Sequence, residues 1–69
     1  MNDMNIHCEG TVKNWDAEKG YGFISTKIGN FYTHISCTKG RIELRPGQKV
    51  KFNIELSEKG QIAKNVEVV

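Results

Sequence analysis

Five short β-strands closed into a small antiparallel barrel are the fold this 69-residue sequence predicts. Three observations carry that prediction. In Val50-Lys51-Phe52-Asn53-Ile54-Glu55-Leu56, apolar and polar residues alternate, the period of a strand with one buried and one wet face. Clusters of turn-forming residues at 16–20, 27–30 and 57–60 separate stretches rich in β-branched and aromatic side chains. No segment carries a convincing helical period, an internal repeat or low complexity. An open sheet of this size would leave free edges and an uncovered apolar face, which closure into a barrel removes.

Residues 1–5 are polar and lack an apolar pattern to tie them down, so they are expected to fray, with structure beginning near His7. Residues 9–15 form the first strand, with Val12 its core residue. After the turn at 16–20, Tyr21-Gly22-Phe23-Ile24 forms the second. Glycines on both sides of Tyr21 are unusual in a strand and point to a bulge or to close approach by a neighbouring backbone or ligand. Gly29 and Asn30 suit a hairpin turn with positive φ, and Phe31-Tyr32-Thr33-His34-Ile35 is the third strand. The polar stretch 36–48 is a long connection in which Leu44 plugs the core. The alternating run above is the fourth strand, buried through Val50, Phe52, Ile54 and Leu56. A tight turn at 57–60 leads to the fifth, which carries Ile62, Ala63, Val66 and Val68.

Strand alternation puts Tyr21 and Phe23 on one face of the second strand and Ile24 on the other. On the third strand Tyr32 and His34 share a face, opposite Phe31, Thr33 and Ile35. If the two strands pair antiparallel, four rings (Tyr21, Phe23, Tyr32 and His34) converge on one patch beside Lys13 and Lys19. Flat rings and positive charge suit unpaired bases and their phosphates. The competing reading, burial of these rings in the core, would need a further layer to cover the opposite face, and the chain has none to spare. Trp15 borders the turn and is equally suited to capping a barrel end or to stacking on a base.

Ten Lys and Arg against eight Asp and Glu leave a net charge of only +2, so attraction to a polyanion rests on local concentration and is easily screened. No run approaches the ~18 consecutive apolar residues of a membrane span, and no secretory signal is recognisable. Cys8 and Cys37 are accordingly expected to be reduced, in a soluble cytoplasmic protein. His34 and Cys37, with His7 and Cys8, lack the paired spacing of a structural zinc site. Nothing orients a Cys37–His34 pair for catalysis. Neither metal, cofactor nor enzymatic activity is therefore expected. A monomer is the expectation, with a homodimer left open.

Several segments resemble the bacterial cold-shock domain. Gly10-Thr11-Val12-Lys13 is similar to that family's opening strand, Ala17-Glu18-Lys19-Gly20-Tyr21-Gly22-Phe23-Ile24 to its first ribonucleoprotein motif, and Phe31-Tyr32-Thr33-His34-Ile35-Ser36 to its second. Leu44-Arg45-Pro46-Gly47-Gln48-Lys49-Val50-Lys51-Phe52 and Lys59-Gly60-Gln61-Ile62-Ala63-Lys64-Asn65-Val66 resemble its later segments, in the family's order. The resemblance implies a five-stranded OB-fold that binds single-stranded RNA and DNA. It also implies that Tyr21, Phe23, Tyr32 and His34 stack on bases, that Lys13 and Lys19 lie beside them, and that Trp15 is a surface aromatic. Melting of RNA secondary structure, or effects on transcription and translation, would be the outcome. The chain departs from the family at Asn14, usually tryptophan, at Ile35, usually phenylalanine, and at Asp16, commonly asparagine. Two lost platforms at about 1–3 kcal/mol each imply an affinity lower by roughly two orders of magnitude or more. The same departures motivate a second expectation, a barrel that serves as a protein-interaction module.

Overall fold

The alternating pattern becomes five strands in the computed structural model, which describes residues 7–58 and 60–69. They are β1 (His7–Asp16), β2 (Tyr21–Thr26), β3 (Gly29–His34), β4 (Lys49–Ser57) and β5 (Gly60–Val68), with a 3-10 turn at Ile35–Cys37. The expected fraying of residues 1–5 and the Lys59 position of the last hairpin lie outside the described residues. The strands close into a barrel in the order β1-β2-β3-β5-β4, with β4 returning to β1. Four junctions are antiparallel as expected, but β3 and β5 run parallel, with Tyr32 opposite Ile62. The reason is parity: an odd number of strands cannot alternate direction all the way around a closed ring. The Thr33 hydroxyl supports this short seam by donating to the Ala63 carbonyl at 3.1 Å, a buried hydrogen bond.

Val12, Ile24, Phe31, Leu44, Val50, Phe52, Ala63 and Val66 fill the barrel. At its centre the Phe31 and Phe52 rings pack with centroids 5.3 Å apart. Leu44 does plug the core from the long connection. That connection is tied down by backbone bonds from Gly47 to the Val12 carbonyl (2.8 Å) and from Val12 to the Gln48 carbonyl (2.9 Å).

Two bulges break the expected alternation. In β1, Val12 faces Ile24 but Asn14 faces Phe23, so Lys13 is an extra residue. Regular alternation would put Trp15 outside with Lys13; the bulge turns it inward instead, half-buried against the core. In β5, Asn53 faces Lys64 while Lys51 faces Glu67, and Asn65 sits at φ 54°. Asn tolerates this left-handed region better than most residues. The insertion lets Ala63 and Val66, three apart in sequence, both point inward.

Three expectations need correction. Leu56 is 75% exposed, because β4 and β5 run on beyond the barrel wall as a two-stranded hairpin with no third strand to cover it. Val68, by contrast, shares the facing of Val66 and lies opposite Val50, and is exposed as the last residue of β5. Ile35 does not continue β3; it opens the 3-10 turn, half-buried, and its amide donates to the Gly20 carbonyl at 2.8 Å. Of the pair expected at positive φ in the β2–β3 turn, Gly29 has it (129°) and Asn30 does not.

Gly22 answers the question its position raised. It lies opposite Trp15, and a Cβ there would come within 2.8 Å of the indole Cε3. The crowding is from the neighbouring strand itself. Gly22→Ala is expected to cost about 1–3 kcal/mol of stability, the range for overpacking, read as a lowered midpoint in urea. An unchanged midpoint would refute the close-packing role.

Candidate nucleic-acid interface

The β2–β3 register sets Tyr21 opposite His34 and Phe23 opposite Tyr32, so the side chains expected to share a face do share it. Tyr32 stands between the other two rings, 5.7 Å from Tyr21 in a tilted arrangement and 5.9 Å from Phe23 edge-on. These contacts limit how far each ring can turn, which reduces the ordering cost of binding against them. The alternate residues Ile24, Phe31 and Thr33 are fully buried. Phe23 remains 37% exposed, and Tyr21, Tyr32 and His34 are half-buried. The rings thus lie on the outer surface of the barrel wall.

His34 closes one end of the patch. The Ser36 amide donates to its Nδ1 at 3.1 Å, which leaves the proton of the neutral ring on Nε2. Trp15 is a second kind of aromatic: its ring packs over Gly22 and against the core, and its Nε1 is buried. The sequence left capping and stacking open for this residue, and the structure shows it anchored by packing, with part of its surface exposed.

Lys13 is exposed at the β1 bulge and Lys19 is exposed in the β1–β2 turn. Asp16, the first of two acidic residues between them, forms that turn: its Oδ1 accepts from the amides of Glu18 (3.0 Å) and Lys19 (3.1 Å). This is an Asx-turn, which asparagine can also make. Asp16→Asn is therefore expected to leave stability within about 0.5 kcal/mol. By removing a charge beside Lys19, it should tighten oligonucleotide binding about two- to fivefold, the 0.2–1 kcal/mol scale of an exposed charge. Weaker binding by this variant would show that the carboxylate has a role of its own.

The modest net charge is unevenly spread. Among the described residues, the ion pairs are Lys39–Glu67 (3.4 Å), Lys51–Glu67 (3.7 Å) and Lys64–Glu55 (3.3 Å), all on β4, β5 and the connection before them. Such surface pairs add little stability, but they cancel charge locally. Lys13 and Lys19 have no such partner among the described residues, which leaves both ammonium groups available beside the rings, with Asp16 and Glu18 as the acidic residues of the same turn.

Sequence reasoning missed two contributors. Gln61 and Ile62, from β5, line a small apolar slot together with Phe23 and Tyr32. The parallel seam brings them there, and nothing local in the sequence signals that contact. As for the metal alternative, no group of three or more His, Cys, Asp or Glu able to hold an ion occurs among the described residues. Cys8 and Cys37 are free thiols. No helix among the described residues is long and apolar enough to cross a membrane.

Residues 8–69 match the family model described as the 'Cold-shock' DNA-binding domain. The chain is 46% identical over 61 residues to the major cold shock protein of Streptococcus pyogenes, covering 84% of this chain and 91% of that one. It is 48% identical over 60 residues to cold shock protein 1 of Lactiplantibacillus plantarum (83% and 91%). To cold shock protein CspC of Bacillus subtilis it is 42% identical over 62 residues (86% and 94%).

Proposed function

Since the chain belongs to the cold-shock domain family, we propose that it holds single-stranded RNA or DNA by stacking unpaired bases on Tyr21, Phe23 and Tyr32. His34 and Trp15 border that platform, and Lys13 and Lys19 neutralise the phosphates running past it. One observation carries this reading: three rings, joined through Tyr32, stay on the barrel's outer wall while the residues alternating with them fill the core. Flat faces without a converging set of hydrogen-bonding groups imply limited sequence preference. The interaction-module alternative has no comparable observation in its favour.

Binding only the unpaired form shifts an RNA folding equilibrium toward the open strand without any nucleotide hydrolysis, because a ligand favours whichever state it binds better. In this reading the protein acts as a monomer in the cytoplasm, as an RNA chaperone or a regulator of transcription and translation. It uses no cofactor and catalyses no reaction.

Titration with a short oligothymidine, followed by Trp15 fluorescence at low and at physiological salt, tests the proposal. Saturable quenching by the single strand, weakened by salt and absent with duplex DNA, is the expected result. Absence of quenching together with unshifted NMR signals from Tyr21, Phe23 and Tyr32 would overturn it.

A further inference from the structure

The outward row of β2 continues beyond the rings. Ser25 follows Phe23 by two residues, about 7 Å along the same face. It lies opposite Thr11 of β1, which in turn lies opposite Lys49 of β4, and on its other side opposite Asn30 of β3. Four strands thus present a polar row, Asn30–Ser25–Thr11–Lys49, next to the aromatic one. A groove of about 470 Å³ opens on this row and includes Lys27 and Glu9 in its lining, a size within the ~300–1,000 Å³ of small-ligand clefts.

We propose that this groove is a phosphate track that takes the continuation of the bound single strand beyond Phe23. The inference rests on the stacking reading above. Lys27 and Lys49 have no ion-pair partner among the described residues, whereas Lys39, Lys51 and Lys64 are all paired. The hydroxyls of Thr11 and Ser25 make no hydrogen bond to other described residues and are able to donate to phosphate oxygens. No aromatic side chain lines the groove, so it grips the sugar-phosphate backbone and ignores the bases. Glu9 is the opposing charge at its rim, against two lysines, and it moderates the grip.

The track makes a prediction that stacking does not: a tail without bases should add affinity. The wild-type protein would be titrated with oligothymidine of four nucleotides, alone and with four abasic nucleotides added at the 5′ or at the 3′ end. One tailed form, and not the other, should bind several-fold more tightly. Lys27→Gln and Lys49→Gln should each erase part of that gain and lower the salt slope for the tailed strand by about 0.7. Both variants should bind the untailed strand as wild type does. Glu9→Gln should enlarge the gain. Tails that add nothing, or lysine variants that weaken tailed and untailed strands equally, would overturn the track and leave the stacking platform standing. Failure of wild type to bind the untailed strand would overturn both.

Discussion

Tyr32→Ala is expected to weaken binding of a short oligothymidine by about ten- to a hundredfold, the effect of losing roughly 1–3 kcal/mol of base stacking. The loss should exceed that of Tyr21→Ala or Phe23→Ala. Tyr32 touches both other rings and forms one wall of the slot beside Ile62, so its removal deletes one platform and leaves two less restrained. Stability should change little, because the side chain is half-exposed and lies outside the core. Paired measurements of affinity and thermal midpoint decide the matter. A lowered midpoint with unchanged affinity would mean that Tyr32 packs and does not bind.

Phe31→Ala, one residue earlier, should do the reverse. Phe31 is fully buried and packs on Phe52, so truncation is expected to cost about 3–5 kcal/mol. A domain this small has little stability in reserve. Each kcal/mol corresponds to about 4–8 °C in a domain of 60–100 residues, so the midpoint should fall by about 12 °C or more. Calorimetry or circular dichroism would register it. At a temperature where the variant remains folded, its affinity for oligothymidine should match wild type, since the outer face of β3 is intact. A small shift in midpoint would place Phe31 outside the core. The contrast between neighbours follows from the pleat, which sends successive side chains to opposite faces.

That same alternation explains why so much of the site was legible beforehand. Tyr21, Phe23, Tyr32 and His34 lie on two strands joined by a short turn, and a regular antiparallel hairpin is enough to place them together. Where a bulge intervenes, period two misleads. Lys13 is an extra residue in β1, and only the paired strand shows that Trp15 is turned toward the core. Asn65 does the same in β5, turning Val66 inward where alternation from Ala63 alone would put it outside. Leu56 obeys its period and is still exposed, because burial depends on whether another strand lies across it.

Local patterning, turn chemistry and composition by themselves determined the five strands, the inward Val12, Ile24, Phe31, Leu44 and Phe52, and the shared face of the three stacking rings. These are properties of neighbours in the chain, set by backbone geometry over a few residues. Only the tertiary structure decided the parallel β3–β5 seam, the arrival of Gln61 and Ile62 beside Phe23 and Tyr32, the role of Gly22 beneath Trp15, and the pairing that leaves Lys27 and Lys49 free among the described residues while neutralising Lys39, Lys51 and Lys64. Each of these depends on which distant strands meet and in what register. That is fixed by closing the whole barrel around one core.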